Sequence, residues 1–218
     1  MNSKQNTSGF ERELKLDLDT ASNHARLEKR LRRLPFLGVK EQLNVFFDTK
    51  DARLRSQKLA LRLRQEVEKF LLTAKGGKLQ TGDLAVRPEI ECEISVAEGL
   101  SLLQKTKSIA DLSNPPLTWI EKQTKHSRKD LSLQEILRFT NQRQCFLLEQ
   151  DDLSLVLELD RTDYGNGIQA FELEVEFQNL GEYLSAKAIL QNIFNEENLP
   201  WKISAQSKYA RALQIQRY

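Results

Sequence analysis

Cysteine is scarce in this sequence. Only Cys92 and Cys145 occur among 218 residues, far apart, which leaves neither a disulfide scaffold nor a paired-thiolate zinc site. No apolar run approaches the length of a membrane span. The opening residues 1–9 lack the apolar stretch of a signal peptide and read as a flexible polar tail. Neither sign of charge is in clear excess: 33 Lys and Arg against 31 Asp and Glu give a net charge of +2. A dedicated DNA-binding protein would carry a basic surplus. No fixed-period repeat or long linker interrupts the chain. The expectation is a cytoplasmic protein with one domain over residues 10–218, monomeric or homodimeric, with no membrane or nucleic-acid partner.

Familiar catalytic motifs are also missing. Ala74-Lys75-Gly76-Gly77-Lys78 is basic and Gly-rich but does not spell a P-loop, and Gly76-Gly77 reads as a strand-ending turn. No Ser or Cys nucleophile motif is visible. His24, in a basic helical stretch, and His126, in a charged insert, read as surface residues, and Trp119 and Trp201 as packing residues.

What the sequence has instead is charge arranged with period two. Charged residues make up 29% of the chain. Phe10 to Leu18 sets Leu14, Leu16 and Leu18 against Glu11, Glu13, Lys15 and Asp17, the alternation of a half-buried strand. Leu59 to Arg64 places Arg62 and Arg64 opposite three leucines, and Val86 to Ile94 places Arg87, Glu89, Glu91 and Glu93 opposite Ile90 and Cys92. Leu153 to Asp160 and Phe171 to Phe177 follow the same rule, with Glu158 and Asp160, then Glu172, Glu174 and Glu176, on the polar faces. Noisier strands are expected at Asn44 to Thr49, Phe70 to Lys75 and Arg138 to Leu148. Helices are expected at Thr20 to Leu34, Val96 to Ala110, Glu182 to Asn195 and Ser204 to Gln216. Asn114-Pro115-Pro116 reads as a break between two halves, and Lys122 to Asp130 as a solvated, loop-like insert.

Like charges in succession on one strand face repel, so three same-face carboxylates are unfavourable unless a cation sits among them. Closing the sheet into a barrel resolves the pattern. Helices then cover the apolar outer faces, and the charged faces line a water-filled tunnel. Residues two apart lie roughly 7 Å from one another along a strand. Two glutamates at that spacing can converge on a hard divalent cation such as Mg²⁺ or Mn²⁺. The Arg and Lys positions suit phosphate oxygens. Together they point to a polyanionic phosphate substrate.

Glu11-Arg12-Glu13-Leu14-Lys15 resembles the Glu-x-Glu-x-Lys signature of the CYTH family, the triphosphate tunnel metalloenzymes. The likeness continues in order through Phe46-Phe47-Asp48-Thr49, Leu59 to Arg64, and Leu72-Thr73-Ala74-Lys75-Gly76. Then come Arg87 to Glu91, Thr140-Asn141-Gln142-Arg143, Leu157 to Asp160, Glu172 to Glu176 and Ser207-Lys208-Tyr209. The resemblance implies an α+β fold: a closed antiparallel barrel of about eight strands flanked by helices. It implies metal ligands at Glu11 and Glu13 with Glu172 and Glu174, where Glu176 is an alternative to Glu172. It implies triphosphate binding by Lys15, Arg62, Arg64, Lys75, Arg87, Arg143 and Lys208. Glu89, Glu91 and Asp160 would orient those bases or serve a second metal and the attacking water.

The expected activity is hydrolysis of a triphosphate, inorganic triphosphate first, with Mg²⁺ or Mn²⁺. In-line attack on a terminal phosphoryl group needs positioning and charge neutralisation more than a covalent nucleophile. Thiamine triphosphate hydrolysis and cyclisation of ATP to cyclic AMP are the enzymatic alternatives. A non-catalytic module binding polyphosphate or a phosphate backbone is the third, and clustered carboxylates argue against it, because they repel a polyanion unless metallated.

Overall fold

The computed structural model of the protein describes residues 6–215. Its strands are β1 (Asn6–Asp17), β2 (Phe36–Asp48), β3 (Ala60–Glu66), β4 (Lys69–Lys75), β5 (Leu79–Thr81), β6 (Leu84–Ile94), β7 (Gln134–Gln150), β8 (Leu153–Asp163) and β9 (Gln169–Glu176). They form one sheet in the order β1-β9-β8-β7-β2-β3-β4-β6-β5, and β1 also pairs with β6. That second pairing closes eight strands into an antiparallel barrel, with β5 as an extra strand. The helices are α1 (Ala21–Leu31), α2 (Arg53–Ser56), α3 (Val96–Leu103), α4 (Pro115–Thr124), α5 (Arg128–Leu131), α6 (Leu180–Glu196) and α7 (Lys208–Ile215), with a 3-10 turn at Ile109–Asp111. The α+β barrel class is the one expected.

The chain divides into two compact units. Of the described residues, the first comprises 6–10, Gln42–Leu79 and Arg87–Phe139. Leu61 and Leu63 on β3 pair across to Ala74 and Leu72 on β4, and Leu72 pairs with Cys92 on β6. These side chains are buried in one apolar cluster with Leu102 of α3 and Leu117 and Ile120 of α4. Period two then sends Arg62, Arg64, Thr73, Lys75, Glu89 and Glu91 to the opposite face. Helix α3 is started by a reciprocal cap between Ser95 and Glu98. Its Gly99 lies against Phe70, where a Cβ would stand 2.1 Å from the ring's Cγ.

The second unit comprises, of the described residues, Glu11–Glu41, Gln80–Val86 and 140–215. Leu14 and Leu16 of β1, Leu157 and Leu159 of β8, and Leu173 and Val175 of β9 are almost wholly buried against Leu27 and Leu31 of α1 and Leu190 and Phe194 of α6. The intervening residues Glu13, Lys15, Glu158, Asp160, Glu172 and Glu174 share the opposite face. Thr20 and Asn179 cap the two helices by accepting hydrogen bonds from Asn23 N and Glu182 N.

Several local expectations are corrected. Strand β1 begins at Asn6 and so takes up part of the stretch read as a tail, while residues 1–5 lie outside the described residues. The helix expected to reach Ala110 stops at Leu103, because Lys105 takes a left-handed backbone and Thr106 N turns back to Ser101 O. Asn114-Pro115-Pro116 starts a helix instead of breaking the chain. Asn114 Oδ1 accepts from Leu117 N, and proline tolerates the first helical turn because its missing N–H has no partner there. The Lys122 to Asp130 stretch is exposed for the most part, as expected, but it contains the end of α4 and the start of α5. His24 is buried, its ring 5.3 Å from that of Phe171, and burial holds its pKa below the ordinary value. The final helix starts at Lys208, four residues late, and Gln216 lies outside the described residues. No helix among the described residues is long and apolar enough to cross a membrane.

Candidate active site

The strongest concentration of buried charge lies on the polar face of the second unit. β1 and β9 pair so that Lys15 faces Glu174, while Glu13 faces Glu176 and Asp17 faces Glu172. β8 brings Asp160 opposite Glu172 and Glu158 opposite Glu174, and β7 brings Arg143 opposite Asp160. Strand register alone therefore gathers residues from four separate stretches of sequence.

Glu174 is the hub. Its Oε1 lies 2.5 Å from both Lys15 Nζ and Lys208 Nζ, and its Oε2 accepts from Arg143 Nη2 at 2.5 Å. Arg143 also grips Asp160 with two parallel hydrogen bonds and reaches Glu158 through Nη1. Lys208, the first residue of α7, stands 2.8 Å from Asp160 Oδ2, 3.0 Å from Glu172 Oε2 and 2.5 Å from Glu174. Asn141 donates to Asp160 Oδ1 at 3.0 Å and accepts from Thr162. Asp160 and Glu172 are fully buried, and Glu13, Lys15, Arg143 and Glu174 nearly so.

Burying charge is costly unless it is paired, and pairing offsets that cost for most of these groups. Burial alone would raise the carboxyl of Glu174, but Lys15, Lys208 and Arg143 hold it well below the usual range. Asp160 and Glu172 are held low against burial in the same way, the first by Arg143 and Lys208, the second by Lys208 and Lys15. Burial opposes the charge of Lys208, Lys15 and Arg143, yet the surrounding carboxylates keep all three pKa values raised. Glu158 is the exception, since burial lifts its carboxyl above the ordinary value despite Arg143.

The first unit carries a second set. Arg62 Nη2 donates to Thr73 Oγ1 at 3.1 Å, and Thr73 in turn donates to Glu91 Oε2 at 2.7 Å. Glu91 is also 3.5 Å from Arg62. Among the described residues the buried Nε of Arg62 has no acceptor, leaving an N–H that an anion could take. Arg64 Nε donates to Asn44 Oδ1 at 3.1 Å, and Lys75 pairs with Glu89 at 2.7 Å. Arg87 is half-buried on β6. Glu89 and Glu91 thus contact the bases they were expected to orient.

Among the expected metal ligands, Glu13, Glu172 and Glu174 lie in the buried cluster of the second unit, and Glu11 is half-buried on β1. Glu176, the alternative to Glu172, is exposed at the end of β9. The donors are carboxylate oxygens, the type hard divalent cations prefer. Glu172 Oε2 is buried and accepts no aligned hydrogen bond. Among the described residues no three acidic, His or Cys side chains converge closely enough to enclose an ion alone. That is compatible with Mg²⁺, which is usually held by one or two carboxylates with water and substrate phosphate completing the shell.

Glu158, read with Asp160 on one polar strand face but given no role, contacts Arg143. Other participants carried no distinct signal in the sequence. Thr73 and Asn141 lie inside the matched blocks but are uncharged. Ser204 and Arg211, both of which contact Glu172, fall outside every such block.

The family model of the CYTH domain matches residues 9–211. A comparison with curated proteins finds no match. Among solved structures, a candidate adenylyl cyclase from Hippeastrum, described as revealing a dominant triphosphatase activity, superposes with a TM-score of 0.83 at 26% identity, over 94% of this chain and 95% of that one. A candidate adenylate cyclase from Bacillus halodurans follows with a TM-score of 0.66 at 22% identity, over 96% and 98% of the two chains. A protein from Pyrococcus horikoshii gives 0.57 at 19% identity, over 95% and 99%. These last two show likeness of fold alone. The match over nearly the whole chain is decisive: this protein belongs to the CYTH family.

Proposed function

We propose that the protein is a divalent-metal-dependent hydrolase of a triphosphate, with inorganic triphosphate the leading substrate. The observation that carries this reading is the charge balance of the buried cluster in the second unit. The five acids Glu13, Glu158, Asp160, Glu172 and Glu174 still outnumber the four bases Lys15, Arg143, Lys208 and Arg211, so a polyanion is repelled unless further positive charge accompanies it. One or two carboxylates drawn from Glu11, Glu13, Glu172 and Glu174, with water and substrate phosphate, would hold Mg²⁺ or Mn²⁺, which supplies that charge when bound. Lys15, Arg143 and Lys208 would exchange carboxylate partners for phosphate oxygens. Arg62, Arg64, Lys75 and Arg87 would supply further cations, Arg62 through its unpaired Nε. Asp160, gripped by Arg143 and Lys208, would keep those two cations aimed, and its full burial suits that role better than activation of water. The chain's own groups thus position the phosphates and spread charge in the transition state, as phosphoryl transfer requires.

The Hippeastrum relative supports hydrolysis over cyclisation, because its described activity is dominantly that of a triphosphatase. The test is phosphate release from inorganic triphosphate, thiamine triphosphate and ATP with Mg²⁺ or Mn²⁺, with cyclic AMP measured in the ATP reaction. Phosphate release that chelation abolishes is the expected result. Cyclic AMP as the dominant product would replace hydrolysis with cyclisation, and no turnover of any substrate would remove the enzyme reading.

A further inference from the structure

The two oxygens of Glu172 have different surroundings. Ser204 Oγ donates to Oε1 at 2.8 Å, and Arg211 Nη2 reaches the same oxygen at 3.3 Å. Oε2 faces Lys208 at 3.0 Å and accepts no aligned hydrogen bond. One oxygen is tied to the protein scaffold while the other points into the group of Asp160, Glu174 and Lys208.

The two groups that tie Oε1 are themselves held. The segment just before α7 runs alongside β1: Asp17 N donates to Lys202 O at 2.8 Å, Leu16 bridges to Ile203, and Ser204 N donates to Lys15 O at 2.9 Å. Ser204 is therefore fixed by backbone pairing on the same strand that carries Glu13 and Lys15, and it is buried. Arg211 is anchored from its other side by Asp17 Oδ2 at 3.5 Å, and the phenol of Tyr164 lies close by.

We infer that Ser204 and Arg211 are positioning residues that lock Glu172 in the rotamer presenting Oε2 as a cation ligand. The inference rests on the metal-dependent reading above and adds two residues to it. A carboxylate that must choose its rotamer at each binding event loses affinity, whereas one held by outer partners is ready.

The test is Mn²⁺ titration of the full-length protein without substrate, followed by electron paramagnetic resonance, on wild type, Ser204→Ala, Arg211→Gln and Glu172→Gln. Loss of an outer partner ordinarily weakens metal affinity about 10- to 100-fold, and each of the first two variants should fall in that range. Combining Ser204→Ala with Glu172→Gln should weaken binding no further than Glu172→Gln alone, because the serine acts only through that carboxylate. Steady-state kinetics should show kcat recovering at saturating Mn²⁺. Thermal melts check the fold, and Ser204→Thr, which keeps the hydroxyl, should bind Mn²⁺ like wild type. Wild-type Mn²⁺ affinity in both Ser204→Ala and Arg211→Gln overturns the inference while leaving the metal site standing, as does a lowered melting point with unchanged affinity. Failure of wild type to bind Mn²⁺ overturns the metal-dependent function and this inference with it.

Discussion

Arg143 and Asp160 face each other across β7 and β8 in a side-on pair, Nε to Oδ1 at 2.8 Å and Nη2 to Oδ2 at 2.7 Å. The planar fork matches the carboxylate edge to edge, a geometry lysine cannot supply. Because Asp160 is fully buried and also holds Lys208, its charge anchors two cations at once. Asp160→Asn should lower unfolding stability by about 3 kcal/mol, the scale for removing one partner of a buried ion pair. Urea denaturation of the metal-free protein measures this, and KM for inorganic triphosphate should rise in the same variant as Arg143 and Lys208 lose their aim.

Acid should unfold the protein through Glu174 and its neighbours. The folded-state pKa of Glu174 is depressed, so its stabilisation is complete above the ordinary value of 4.5 and is lost as the pH falls through the folded value. Asp160 and Glu172 have the same sign. Melting temperature should fall steeply once the pH drops below about 4.5. The Glu174→Gln variant should start lower at neutral pH and lose less on acidification. An unchanged slope in that variant would show that Glu174 is not the group responsible.

Thr73 stands between Arg62 and Glu91, accepting from one and donating to the other. Thr73→Val keeps the shape and removes both bonds. The expected result is a KM for triphosphate raised about tenfold, equivalent to ~1.4 kcal/mol, with Mn²⁺ affinity and melting temperature close to wild type. Arg62→Ala should raise KM further, and added metal should not restore it.

Helix α3 approaches β4 only because residue 99 lacks a side chain. Gly99→Ala would put a methyl into the Phe70 ring and should destabilise the first unit by about 2 kcal/mol, the usual scale for overpacking. Combining it with Phe70→Leu should cost less than the two single changes added together, measured by chemical denaturation.

Much of this architecture was legible in the sequence where one strand face meets an apolar core. β6 and β9 alternate cleanly because Cys92 and Ile94, or Leu173 and Val175, are buried while their neighbours face the other way. The first half of β2 was not legible, because Phe36, Leu37 and Val39 are all exposed and no alternation arises. Helix α2 was missed for a different reason. Its start is held by the carboxylate of Asp48, at the end of β2 and well outside the usual cap position, which accepts from Leu54 N and Arg55 N. In the site, the charged residues announced themselves by repetition, whereas Ser204 has no periodic signature, and its role depends on Lys15 and Glu172, both remote in sequence. The different burial of Glu172 and Glu176 was not legible either, because both lie on one strand face and Glu176 is exposed at the end of β9.

The bridge between Leu16 and Ile203 joins residues near opposite ends of the sequence. Closing so long a loop costs chain entropy, and it sets two cations in place: Lys208 and Arg211 follow the bridge and lie against Asp160, Glu172 and Glu174. Asp160 faces Glu172 and Glu158 faces Glu174 across β8 and β9, so part of the charge that offsets their repulsion comes from the last helix, remote in sequence from every strand it neutralises.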